Sequence, residues 1–175
     1  DLPVAGDGDL ARVGFERWRT ALAERAAAEL PRLDALAADV NARALMAAIF
    51  GNSPFLTWIA EREPGFALDL LTNGPDVMAA RLDADLHRLR AEAAAGLDPS
   101  APLRLYKRRL ALTTAVADIA GRWDLERITG FLTAFADAAL QTACGHLLAE
   151  AAKRGVLPLN GATAEDGSGF IVLGM

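Results

Sequence analysis

Three cations in a short stretch are the most chemically suggestive residues of this sequence. Arg104, Lys107 and Arg108 are spaced i, i+3 and i+4, so on a helix they share one face. Three cations on one face can bind a phosphate group or dock a further domain; the competing reading is a solvated basic face. Arg109 differs. It falls in line with Leu105, Leu112 and Val116, on an apolar stripe where a charge has to be paired or reach outward. A structural ion pair with a helix carboxylate is the expectation for it. Asp118 lies on nearly the same side as Lys107 but three turns along, too far for a direct pair.

Other reactive residue types are scattered. His87 and His146 have no cysteine or carboxylate partners at metal-ligand spacing, so no metal is expected on them. Cys144 sits four residues after Leu140 and four before Leu148, which favours a small buried core residue over a nucleophile, since no activating base is evident. Glu61-Arg62-Glu63 reads as an exposed helix end, with a partner-binding acidic edge as the alternative. Trp18, Trp58 and Trp123 are expected to be packing anchors. The chain has no Walker-type nucleotide loop, no GxSxG and no HExxH.

The elements that must carry these residues are helices. Hydrophobic residues make up 53% and charged residues 23%, a folded rather than a disordered composition, and alanine and leucine dominate over β-branched residues. A net charge of -5 gives no general attraction to nucleic acid or to an anionic membrane. One cysteine allows no internal disulfide, and a reducing, cytoplasmic setting fits. No run reaches the ~20 apolar residues that span a bilayer, and residues 1–10 lack the features of a secretory signal.

Stops and starts then divide the chain. Helices are expected over about 10–30 and 32–50, with Pro31 stopping or bending the chain between them. Gly51 is read as a helix end needing positive φ, with Ser53 capping the next helix and Pro54 at its first position. That helix ends near Glu63-Pro64-Gly65, and another ends at Asn73-Gly74. Pro75-Asp76 opens a helix to about Ala95, and Asp98-Pro99 one to about Gly121. Asp124 caps the most periodic segment, in which Leu125, Ile128, Leu132, Phe135, Ala139, Ala143 and Leu147 recur at helical spacing. It is expected to be a central pillar, ending near Lys153-Arg154-Gly155. Short connections between helices imply an all-α, antiparallel multi-helix bundle. Residues 158–169 read as a loop, and Phe170–Met175 as one C-terminal β-strand. A strand without a partner leaves backbone groups unsatisfied, so it is expected to belong to a sheet beyond Met175. The division is therefore a helical domain over 1–157, then a loop and first strand over 158–175.

Three stretches carry a family resemblance. Phe50-Gly51-Asn52-Ser53-Pro54-Phe55-Leu56 with Arg62-Glu63-Pro64 is the first. Leu103–Arg109, with Ala117-Asp118-Ile119-Ala120-Gly121 and Trp123-Asp124, is the second. Gly169–Met175 is the third. In order and spacing they are similar to signatures of the bifunctional glutamine synthetase adenylyltransferase/adenylyl-removing enzymes, from about Gly51 to Met175; residues 1–50 add only helical character. The resemblance implies one half of a duplicated enzyme, each half pairing a helical region with a nucleotidyltransferase domain. The wording of the first two stretches resembles the N-terminal half, which removes AMP by phosphorolysis, while the other half attaches AMP from ATP. Glutamine synthetase as protein substrate, and signalling by glutamine and a nitrogen regulatory protein, are implied with it. The family's metal-binding aspartates lie past the end of this sequence. The resemblance therefore implies no catalytic or metal residue and no cofactor here, with magnesium and ATP or phosphate acting in the parent enzyme. Arg104, Lys107 and Arg108 become candidates for contact with the nucleotidyltransferase domain or the substrate. The alternative is a free-standing helical interaction module, for which that basic face is dispensable.

Overall fold

A computed structural model describes residues 4–158 and 168–172. Helix α1 (Gly8–Ala26) starts where the Asp7 carboxylate accepts from the Asp9 and Leu10 amides. A 3-10 turn (Ala27–Glu29) leads into α2 (Leu30–Ala38), with Pro31 in its first turn. The second helix expected from sequence is in fact split. Asp39 adopts extended backbone, and its carboxylate caps α3 (Val40–Asn52) by accepting from Ala42 N. Then come α4 (Pro54–Arg62), α5 (Pro64–Asn73), α6 (Pro75–Ala94), α7 (Ser100–Ile119) and α8 (Leu125–Lys153). Ser53 caps α4, Asp124 caps α8, and Pro54, Pro64 and Pro75 each lie at the start of a helix, where a missing N–H costs nothing. Gly74 has φ 83° and Gly121 φ 61°, so both stops need the left-handed region.

The expectation for Gly51 is corrected. It is helical, buried within α3, and its missing side chain serves close approach. A Cβ there would lie 2.7 Å from Ala5 Cβ and 2.8 Å from the Asp7 carbonyl oxygen. Its neighbour Asn52 completes a clasp on the N-terminal segment: its side-chain amide donates to the Val4 carbonyl at 3.0 Å, and its Oδ1 accepts from Gly6 N at 2.8 Å.

The main core joins α1 to α7. Trp18, Leu22, Leu33, Ile49, Ile59, Leu68 and Leu70 are almost wholly buried, with Met78, Leu112 and Val116 beside them. Helix α8 is not the pillar of this core. It lies against α6 and α7 through one side only, with Phe131 edge-on to Trp123 and Phe135 stacked on Tyr106 at 4.7 Å. Ala138 and Thr142 are its buried residues, whereas Leu125, Leu132 and Leu147 are exposed. Helical periodicity shows that a face is apolar, and here part of that face is left exposed by the described residues. The strand expected over Phe170–Met175 is not seen: Phe170, Ile171 and Val172 have no regular structure and are exposed, and 173–175 fall outside the described residues. Most of the 158–169 loop also lies outside them.

Candidate functional site

Helix α7 presents its cations in two directions. Its inner side is set by Tyr106, Leu110, Leu112 and Val116, all buried. Arg104 and Lys107 project from the outer side and are exposed. Near the start of the helix, Asp98 is held below the usual carboxylate range, chiefly by its hydrogen bonds from Ser100, with smaller electrostatic help from His146 and Arg104. The first turns of α7 and the C-terminal part of α8 thus lie within electrostatic reach of each other.

Arg108 is not part of the exposed patch. Its Nη2 donates to Glu63 Oε1 at 3.0 Å, and Arg109 Nη2 donates to Glu63 Oε2 at 3.3 Å. Glu63 occupies the joint between α4 and α5, and its side chain is only 14% exposed, so the pair of guanidinium groups neutralises a largely desolvated carboxylate. Glu61-Arg62-Glu63 is therefore not simply an exposed helix end. Arg109 also lies 3.9 Å from Asp85 and 5.1 Å from the centre of the Phe66 ring. The Nε atoms of both arginines are buried without a hydrogen-bond partner among the described residues. Beside them Leu82, Asp85, Leu89 and Tyr106 line a cleft of about 150 Å³ between α6 and α7. Burial pushes the Tyr106 phenol well above its ordinary value, with Asp83 and Asp85 adding to it, so that hydroxyl stays protonated.

A second joint fixes α8. Trp123 Nε1 donates to Asp76 Oδ1 at 2.9 Å, Arg127 Nη2 lies 2.6 Å from the same oxygen, and the Arg127 guanidinium covers the Trp123 ring at 4.3 Å. Hydrogen bonds from Trp123 and then from Arg127 lower the Asp76 pKa. Trp18 is fully buried and donates to the Pro64 carbonyl at 3.1 Å. Trp58 departs from the anchor expectation: it is 42% exposed, stacked on Phe55 and capped by Arg62.

The remaining candidates stay apart. His87 and Asp118 are exposed, His146 is half-buried, and Cys144 is half-buried rather than a core residue. Among the described residues no three His, Cys, Asp or Glu side chains converge as a metal ion needs. No described helix is long and apolar enough to cross a membrane. Sequence reasoning missed Glu63 and Asp76 as ionic partners and Asn52 as a clasp. All three contacts join residues more than 40 positions apart, which no local spacing reveals.

The family model described as glutamate-ammonia ligase adenylyltransferase matches residues 43–175. The chain is 36% identical to the bifunctional glutamine synthetase adenylyltransferase/adenylyl-removing enzyme of Xanthobacter autotrophicus, across 100% of the chain and 18% of that protein. It is 36% identical to the enzyme of the same name from Bradyrhizobium diazoefficiens, across 92% of the chain and 16% of the relative. With that from Caulobacter vibrioides the identity is 35% over 81% of the chain and 14% of the relative. The chain thus spans less than a fifth of the length of these curated relatives. No solved structure matches it. On the family match and these identities, the chain belongs to the glutamate-ammonia ligase adenylyltransferase family.

Proposed function

We propose that this chain is a non-catalytic helical segment of an enzyme that adenylylates and de-adenylylates glutamine synthetase, taken from the adenylyl-removing half. Its task is to hold the adjacent nucleotidyltransferase domain and to contact the protein substrate. Residues 1–157 form the scaffold, and 158–175 lead into the nucleotidyltransferase domain. Magnesium, ATP and phosphate act in that domain. The nitrogen regulatory signalling protein acts on the whole cytoplasmic enzyme. No catalytic or metal role is assigned to any residue of this segment.

One observation carries the contact role. Arg104 and Lys107 stand exposed on a helix whose next two cations are tied inward to Glu63. The double clamp stops α7 from rotating, so the exposed pair is presented in a fixed direction, as binding a carboxylate or phosphate requires. Arg108, half-buried in its pair, belongs to the clamp.

The test is de-adenylylation of AMP-modified glutamine synthetase, with phosphate and magnesium, by the full-length protein and its Arg104→Ala/Lys107→Ala variant. A folded variant with strongly reduced activity supports the contact role. Equal activity makes the basic face solvated surface. If a polypeptide joining this segment to the domain that follows attaches AMP instead of removing it, the assignment to the removing half fails.

A further inference from the structure

Helix α8 is apolar on the side that packs and on the side that does not. Phe131, Phe135, Ala138 and Thr142 face α6 and α7. Round the helix, Leu125, Leu132, Leu140 and Leu147 are 75%, 41%, 47% and 63% exposed. Their spacing of seven, eight and seven residues stays close to whole pairs of turns, so they form one stripe about 33 Å long at ~1.5 Å per residue. Ala136 lies within it. From Ile128 to Ala149 Asp137 is the single aspartate, glutamate, lysine or arginine. A face meant for water carries charge, and a helix apolar all round is a buried helix.

We propose that the outer face of α8 is the seat of a further part of the same, longer polypeptide, which lays an apolar surface along Leu125, Leu132, Leu140 and Leu147. This rests on reading the chain as one segment of a longer enzyme. The relatives run more than five times its length, so most of such a polypeptide remains to be placed against it. Val156, just past the end of α8, is exposed as well, and so are Phe170, Ile171 and Val172 further along the chain. A second copy fits less well. A two-fold antiparallel pairing centred between Leu132 and Leu140 would bring the Asp137 carboxylates of both copies to the same flank near the axis, where like charges repel.

The test is hydroxyl-radical footprinting of the full-length protein, read at Leu132, Leu140 and Leu147 against the same peptides in the urea-unfolded protein. Several-fold protection that persists on dilution supports the proposal. Modification at the unfolded rate overturns it, and so does protection lost on dilution, which would mean a second copy covers the face. Leu140→Asp in the full-length protein should release Leu132 and Leu147 to modification while far-UV circular dichroism holds, because the substituted side chain is outside this segment's own core. Unchanged protection at both leucines counts against the proposal. The de-adenylylation assay separates the two readings. A protected face in a protein without that activity removes the functional proposal and leaves the docking one, and an active protein with an unprotected face does the reverse.

Discussion

Replacing Glu63 by Ala removes the carboxylate that reaches both Arg108 and Arg109. The two hydrogen bonds are 3.0 and 3.3 Å long, and all three side chains are less than a third exposed, at 14%, 27% and 29%. Breaking a fully buried pair by removing one partner costs ~3–5 kcal/mol. Here the guanidinium tips reach some water, and Arg109 keeps Asp85 at 3.9 Å and the face of Phe66. The loss is therefore discounted to about 2 kcal/mol. Glu63→Gln keeps an acceptor without the charge and should lose about 1 kcal/mol. Urea denaturation followed by circular dichroism measures both, with an unchanged m-value showing that stability alone has moved. For a chain of this size 2 kcal/mol corresponds to a Tm lower by roughly 4–8 °C. A double-mutant cycle with Arg108→Ala should return a coupling of about 1 kcal/mol. A Glu63→Ala variant within ~0.5 kcal/mol of the parent would refute the claim that this joint holds α7 to the α4–α5 corner.

Gly51→Ala places a Cβ within 2.8 Å of a backbone oxygen, so it should cost ~1–3 kcal/mol and release residues 4–7 to limited proteolysis; an N-terminus cut no faster than in the parent contradicts the clasp. Asp76 has a lowered folded pKa, so its contribution is fully present above the unfolded carboxyl value of about 4 and is lost as pH falls through the lower folded value. Asp76→Asn should accordingly flatten the acid limb of the stability profile, and an identical limb in the two proteins rules this out. Trp18→Ala should cost ~3–5 kcal/mol, since that side chain is fully buried, whereas Trp58→Ala should cost less, about 1 kcal/mol, because Trp58 is 42% exposed and loses mainly its contacts with Phe55 and Arg62. Comparable losses at the two positions in denaturant titrations would show that exposure is a poor guide here.

Helix boundaries were legible wherever backbone chemistry is local. Ser53-Pro54, Glu63-Pro64, Gly74-Pro75 and Asp124 mark starts and stops because capping and the missing proline N–H act within one turn. Asp39 uses the same physics but sits inside a continuous apolar pattern, and so it was absorbed into a longer helix. Gly51 was misread for a different reason. A glycine beside Asn, Ser and Pro resembles a helix stop, while its actual use is close contact with a segment more than 40 residues away. Periodicity overstated α8 because it reports an apolar stripe and not the presence of a partner: Leu125 is as regular in sequence as Ile128, yet only Ile128 meets Trp123.

The basic run on α7 shows how a motif divides its labour. Arg104, Lys107 and Arg108 share a face by spacing, yet α7 rotates until Leu110, Leu112 and Val116 are buried, and that rotation carries Arg108 to the boundary with α5. A cation at such a boundary cannot stay unpaired without a desolvation cost, so Glu63 is drawn there, and Arg109 shares it from the next position. The Arg-Glu-Pro and Tyr-Lys-Arg-Arg stretches are thus two ends of one joint, with Pro64 also accepting from Trp18. A joint of this kind specifies an orientation. What that orientation offers outward is Arg104 and Lys107, together with the uncovered leucines of α8.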